Sequence, residues 1–340
     1  MRLLLFLLLL PLFVSAQDKY QVSTSSDSNG YIYQTITNDP LNARIYTLSN
    51  GLKVYISVYK DSPRIQTYIA VRAGSKNDPS TATGLAHYLE HILFKGTSKI
   101  GTSDWAKEKP LLDQIENLFE VYRKTTDEKQ RAAMYHLIDS TSILASTHSI
   151  ANEYDKMLSN IGASGTNAYT FLEQTVYVND IPSNQIDKWA EIEAERFSMV
   201  VARLFHTELE AVYEEKNKGL DQDRRKVWEA MLAGLFQKHP YGTQTTIGTI
   251  EHLKNPSITE IKKYFGQYYK PNNMAICLSG DLDPDKTIKS IDKYFGKLAS
   301  KEVPFFTPPV ENPQRTQSVN IYGPDAENVT IAFRANGIYK

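Results

Sequence analysis

His87-Tyr88-Leu89-Glu90-His91 is the stretch of this sequence in which residue type and spacing point to chemistry. On a helix, residues four apart lie on one face, so the two imidazoles project toward a common point. Glu90, three residues after His87, turns to nearly the same side. Two imidazoles at this spacing suit Zn²⁺, which also takes carboxylate oxygen and, in catalytic sites, keeps one position open for water. Such an ion lowers the pKa of that water to about 7, and a carboxylate within reach then takes its proton. Leu85, Leu89, Ile92 and Phe94 make the helix largely apolar, so a polar cluster on it is part buried and needs partners, which ligation supplies. The single Cys277 rules out an internal disulfide, Cys-based zinc ribbons and iron–sulfur clusters, and leaves any metal to His and carboxylates. His136, His148, His206, His239 and His252 show no ligand spacing and read as surface or structural residues.

A third ligand has to come from elsewhere, as a carboxylate on a partly apolar helix face. The segment from Thr207 to Gly219 reads as a helix whose acids fall into two stripes. Glu210 and Glu214 share a solvated face with Thr207, Asn217 and Lys218. Glu208 and Glu215, two turns apart, share the other face with Ala211 and Val212. Ligation by one and support by the other would account for acids on an inward side. Glu193 is a rival, because it shares the Ile186, Trp189 and Phe197 face of the preceding helix; spacing favours the Glu208/Glu215 helix.

The elements that must position these residues alternate irregularly. Ile45–Leu48 and Leu52–Ile56 flank Asn50-Gly51, the signature of a tight hairpin turn. A strand from Ile65 to Val71 precedes the motif helix, which Thr83 is expected to cap. Residues 104–150 read as a helical hairpin, with Leu111, Leu112, Ile115, Leu118, Phe119 and Tyr122 at three-four spacing and a break at Thr125-Thr126-Asp127. A helix ending at Ile161-Gly162 leads to a strand at Gln174–Val178. Helices follow from Ser183 and near Thr259–Tyr264, then a strand at Met274–Ser279 and a helix at Ile288–Phe295. Hairpins mixed with helices, without regular strand–helix alternation, predict an α+β fold rather than a doubly wound parallel sheet.

The chain has 340 residues, which allows about two domains at roughly 100–200 residues each. With 38 Lys+Arg against 39 Asp+Glu, the net charge of −1 gives no electrostatic reason to expect nucleic-acid binding. Met1-Arg2, the apolar run Leu3–Val14 and the small residues Val14-Ser15-Ala16 read as a signal peptide (residues 1–16) cleaved after Ala16. The run is shorter than the roughly 20 residues a membrane span needs, so the mature protein is expected to be secreted or periplasmic, with no span. Residues 17–43, rich in Ser, Asp, Asn and Gly up to Pro40, read as a flexible leader. Residues 44–302 would be the catalytic domain. Pro304, Pro308, Pro309 and Pro313 mark 303–316 as a linker, and 317–340, with strands expected at Ser318–Tyr322 and Val329–Phe333, as the start of an incomplete second domain.

The motif together with Leu93-Phe94-Lys95-Gly96-Thr97 resembles the inverted zinc motif of the M16 metallopeptidases, the pitrilysin, insulinase and mitochondrial processing peptidase family. The likeness extends to Asn50-Gly51-Leu52-Lys53-Val54, to Gly162 through Asn167-Ala168-Tyr169-Thr170, and to Thr175 and Tyr177. It continues in Glu208-Leu209-Glu210-Ala211-Val212-Tyr213-Glu214-Glu215, His239-Pro240-Tyr241-Gly242, Ile247-Gly248, Tyr269 to Met274 and Gly280-Asp281. The resemblance implies an antiparallel sheet flanked by helices, here with the 104–150 hairpin as an insertion that lies outside that sheet. It implies one Zn²⁺ per catalytic domain held by His87, His91 and Glu215, with Glu208 in support, Glu90 acting on water, and Glu193 excluded. It also implies that peptides or unfolded protein segments bind as an added strand at Asn167-Ala168. A second M16-type half, in the same chain or in a partner, would close a chamber. The implied activity is that of an exported zinc endopeptidase; the alternative is a catalytically inactive chamber half or scaffold subunit.

Overall fold

The computed structural model describes residues 20–312 and 315–335, so the expected signal peptide lies outside the described residues. The strands are β1 (Val22–Ser26), β2 (Ile32–Ile36), β3 (Arg44–Thr47), β4 (Lys53–Val58), β5 (Arg64–Val71), β6 (Ser164–Thr170), β7 (Thr175–Pro182) and β8 (Met274–Gly280). They form one eight-stranded sheet in the order β1-β2-β3-β4-β8-β5-β7-β6. Every neighbouring pair is antiparallel except β4 with β8, which run parallel. The helices before β7 are α1 (Leu85–Ile92), α2 (Trp105–Tyr122), α3 (Glu128–Ser146) and α4 (Glu153–Asn160). After it come α5 (Ile186–Arg196), α6 (Phe205–Leu220), α7 (Asp223–Leu235), the short α8 (Pro240–Thr243) and α9 (Ile250–Lys254), α10 (Ile258–Tyr268) and α11 (Pro284–Phe295). The α+β expectation therefore holds, with one parallel pair in the middle of the sheet. No described helix is long and apolar enough to cross a membrane.

The period-two alternation of the strands makes the core. Val54 and Ile56 on β4, Ile65, Ile69 and Val71 on β5, and Ile276 and Leu278 on β8 are buried on one face. That face joins Leu85 and Leu89 of α1, Trp189 of α5, Ile261 of α10 and Ile288 of α11 in a single cluster. Gly51, with φ +85°, turns β3 into β4 where Asn50-Gly51 predicts a hairpin, and a side chain there would run into Asn272.

Two expectations need correction. Residues 17–43 are not a flexible leader through their described part: β1 and β2 form a hairpin that extends the sheet by pairing β2 with β3. Its polar residues serve as turn and anchor. The Asp27 carboxylate accepts from the N–H groups of Asn29 and Tyr31, both at 2.9 Å. Ser28 Oγ donates to Asp285 at 2.6 Å, and Tyr31 donates to Asp292 at 2.8 Å, which tie the hairpin to α11. Ser and Asn content reads as disorder only while those partners are out of view. At the other end, the strands expected at Ser318–Tyr322 and Val329–Phe333 are absent. Val319, Val329, Ile331 and Phe333 are exposed, and an extended segment becomes a strand only when a neighbour takes up its N–H and C=O groups.

Candidate metal centre

Helix α1 carries the motif, and a buried carboxylate starts it. Asp78 accepts from the N–H groups of Gly84 at 2.8 Å and Ala86 at 2.9 Å, filling the role expected of Thr83. The Thr83 hydroxyl instead lies 2.7 Å from His252 Nδ1. Gly84 has φ +85°, and a Cβ there would meet the Ile247 carbonyl, so the chain enters α1 through a turn that only glycine fits. The apolar side of α1, Leu85, Leu89 and Ile92, packs inward and leaves His87 and His91 with ring centroids 4.8 Å apart.

Helix α6 supplies the facing carboxylates. Glu215 Oε2 lies 3.5 Å from His87 Nε2 and 3.7 Å from His91 Nε2. Ligand atoms of these three residues all fall within 4.8 Å of one another, and no other such group exists among the described residues. A tetrahedral ion with bonds of about 2.0–2.2 Å sets its donors roughly 3.4 Å apart, so two imidazole nitrogens and a carboxylate oxygen in this arrangement fit Zn²⁺. Glu208, two turns earlier, lies 3.5 Å from His91 Nδ1 and takes the Lys95 ammonium at 2.7 Å. It is placed to fix the ring whose other nitrogen faces Glu215. Burial opposes ionisation of Glu208, yet its hydrogen bonds to His91 and Lys95 and the Lys95 charge hold its carboxyl below the usual range. Burial, with the nearby His91 and Arg225, pushes the His87 pKa down to about 3, so its imidazole is neutral and a competent donor.

Glu90 is buried beside these residues, and Thr170 Oγ1, at the end of β6, donates to its Oε2 at 2.5 Å. Burial raises its pKa above the ordinary carboxylate value, Thr170 and His91 work against that rise, and the Glu215 charge adds to it. Asn167 and Ala168 lie across the same cavity, of about 540 Å³, on the outermost strand of the sheet. The Ala168 N–H is taken by its neighbour's side-chain oxygen, Asn167 Oδ1, at 2.9 Å. Arg225, Trp228 and Leu232 of α7 also line the cavity. Nothing in the spacing singled out Thr170 as a partner for Glu90. Of the α7 residues, Trp228 and Leu232, four apart, carry the helical period that could have found this helix.

Glu193 does not reach this cluster. It is wholly buried with Arg196, whose Nε and Nη2 donate to it at 2.9 and 2.5 Å, and Tyr154 donates to its other oxygen at 2.5 Å. The Arg196 guanidinium lies over the rings of Tyr154 and Tyr177. Glu193→Ala would strand that buried cation and is expected to cost about 3–5 kcal/mol of folding stability by chemical denaturation. A loss below about 1 kcal/mol would show that the pair contributes little.

Comparison with known proteins bears on these residues. Residues 55–109, which include the whole of α1, match the model of "Insulinase (Peptidase family M16)", and residues 257–340 match that of "Peptidase M16 inactive domain". The chain is 25% identical to insulin-degrading enzyme of Mus musculus over 80% of its own length and 23% of the relative's. It is 23% identical to zinc protease PqqE of Helicobacter pylori (strain ATCC 700392 / 26695) over 85% of its own length and 55% of the relative's. It is also 23% identical to a probable mitochondrial-processing peptidase subunit beta of Schizosaccharomyces pombe (strain 972 / ATCC 24843), over 74% of its own length and 44% of the relative's. By two family models and by these relatives, the chain is similar to the M16 peptidases. The fold agrees: the crystal structure of a protease from Helicobacter pylori superposes with a TM-score of 0.59 at 24% identity, covering 78% of this chain and 53% of that one. The chain thus spans from just under a quarter to a little over half of the length of these relatives.

Proposed function

We propose that this chain is the catalytic part of an exported zinc endopeptidase that cleaves peptides or unfolded protein segments. The observation that carries the proposal is the convergence of His87, His91 and Glu215 beside Glu90, facing an open sheet edge. His87, His91 and Glu215 would hold the ion, with Glu208 and Lys95 orienting the His91 ring. Zinc bound there supplies Lewis acidity toward the scissile carbonyl and acidifies a water molecule. Glu90 takes the proton of the attacking water and later hands it to the leaving amine. The Thr170 hydroxyl occupies Glu90 Oε2 and so leaves Oε1 to move that proton.

Substrate would lie along β6 as an added strand, held by main-chain hydrogen bonds that read little sequence. Its carbonyl would displace the Asn167 side chain from the Ala168 N–H. Ala168→Pro removes that N–H. It should raise KM for a peptide substrate about tenfold and leave zinc content unchanged, as read by steady-state kinetics and metal analysis. An unaltered KM would place the substrate elsewhere.

Export rests on the Leu3–Val14 run and the Val-Ser-Ala site. N-terminal sequencing of the protein recovered outside the cytoplasm should begin at Gln17, and a protein that retains Met1 would end this part of the proposal. A second M16-type half, on this chain or a partner, is the proposed means of closing the cavity. One observation favours a second reading, a non-catalytic subunit: the match of residues 257–340 to a family model described as inactive. That match lies outside His87, Glu90, His91 and Glu215, which retain the full donor set and base. Wild-type protein carrying stoichiometric zinc, yet failing to cleave unfolded peptides with its second half present, would favour the subunit reading.

A further inference from the structure

Residues 103–148 leave the fold and return to it at one point. Thr102 bridges Ser149, Ser103 N donates to His148 O at 2.8 Å, and Ile150 N donates to Gly101 O at 2.9 Å. The excursion between these ends is the α2–α3 hairpin. It does not stand free of the site. Glu120 accepts from Ser257 at 2.6 Å and Glu116 from Thr259 at 2.8 Å, which fastens the hairpin to the start of α10. The Phe119 ring packs edge-on against Phe205 at 5.1 Å, and Phe205 in turn lies 4.7 Å from Tyr88 of the motif helix.

The deepest tie is ionic. Glu108, at the first turns of α2, is 0% exposed, and Arg203, two residues before α6, is 1% exposed. Arg203 Nε and Nη2 grip the two Glu108 oxygens at 2.6 and 2.8 Å. The rest of the guanidinium donates to the carbonyls of Lys95 at 2.5 Å, Ile100 at 3.0 Å and Thr97 at 2.9 Å. One side chain therefore joins the insertion, the loop that leaves the motif helix, and the entry to the helix that carries Glu208 and Glu215. The next residue, Leu204, has φ +52°, a conformation a leucine holds only when its neighbours impose it. Both neighbours are held: Arg203 by its five donations, and Phe205 by the Tyr88 hydroxyl, which donates to its carbonyl. The rotation of α6 about its axis is set at this turn, and that rotation decides whether Glu208 meets His91 and Glu215 meets both imidazoles.

We propose that Glu108 and Arg203 are positioning residues of the metal centre, and that the α2–α3 insertion is a brace which fixes α6 against α1 for zinc binding. The inference rests on the metal-binding reading above. A buried ion pair with satisfied hydrogen bonds suits the task, because it contributes geometric definition more than net stability.

Zinc affinity of the purified protein, measured by competition with a chromophoric chelator, tests it in Glu108→Asp and Glu108→Gln. Ile288→Val, in the core of α11, serves as a control for general destabilisation. The Glu108 variants should bind zinc about tenfold more weakly, in the range that supporting residues of metal sites show, while the Ile288 variant keeps wild-type affinity. Unchanged zinc affinity in the Glu108 variants, with only a lower Tm of the metal-free protein, would reduce the pair to a structural one and overturn the proposal. Wild-type protein supplies a second measurement that does not depend on the variants folding. Coupling is reciprocal, so zinc should raise hydrogen-exchange protection of residues 101–108 and 203–208 together. Flat protection there on zinc binding would equally overturn it. Failure of the wild type to bind zinc at all would refute the metal reading itself, which keeps the two failures apart.

Discussion

Glu90→Gln should retain zinc at the wild-type level and lower peptide hydrolysis by a factor on the order of 10²–10⁴, the contribution of a positioned general base. The substitution keeps the shape of the side chain and its ability to accept from Thr170, whose hydroxyl lies 2.5 Å from Oε2, so the local packing survives. It removes the group that can take a proton. The measurements are metal content and kcat/KM on an unfolded peptide, for both proteins in the presence of the second half. Equal rates in wild type and variant would remove Glu90 from the mechanism. A pH dependence accompanies this expectation. Glu90 acts as a base only when ionised, and burial raises its pKa above the ordinary carboxylate value. Activity should therefore fall with decreasing pH through a range above that of an ordinary glutamate.

The second large effect is expected from a neighbouring pair on α6. Glu215→Ala should lose zinc, and Glu214→Ala should keep it. Adjacent helix residues point about 100° apart, so only one of the two can face α1. Both side chains are exposed, and what separates them is the approach of Glu215 Oε2 to His87 Nε2 at 3.5 Å. Because Glu215 would be a direct donor, its loss should exceed the 10–100-fold drop in affinity that a supporting residue such as Glu208 produces when changed to Gln. Isothermal titration of metal-free protein with zinc distinguishes these cases. The reverse pattern, zinc lost with Glu214 and kept with Glu215, would mean that α6 is rotated from the position described here.

Much of the centre is legible in the sequence alone, for a physical reason. His87, Glu90 and His91 lie within five residues, and helical geometry alone brings them to one side. The two stripes of α6 were legible for the same reason, since a seven-residue spacing is a property of one helix. Choosing between Glu215 and Glu193 was different in kind. Glu193 sits on an apolar face exactly as a ligand would, and what removes it is Arg196 beneath it and Tyr154 from α4, contacts between elements that no period encodes. The order of the leader is hidden from the sequence for a related reason. Val22–Ser26 is exposed throughout and polar after Val22, and it becomes a strand by pairing with β2 and by the anchorage of their turn to Asp285, more than 250 positions along the chain.

By itself the sequence determined the local chemistry of this protein: a pair of imidazoles with a base on one helix turn, an acidic pair two turns apart on another helix, a hairpin at Asn50-Gly51, and no cysteine alternative for the metal. Those follow from spacings of a few residues, which backbone geometry converts directly into direction. Only the tertiary structure decided that Glu215 meets the imidazoles, that Thr170 and the open edge of β6 face Glu90, and that Arg203 and Glu108 lock the insertion to the entry of α6. These are meetings between segments 80 to 130 positions apart. Their geometry depends on how whole helices rotate and pack against the sheet, and a side-chain pattern read along one element carries no record of that rotation.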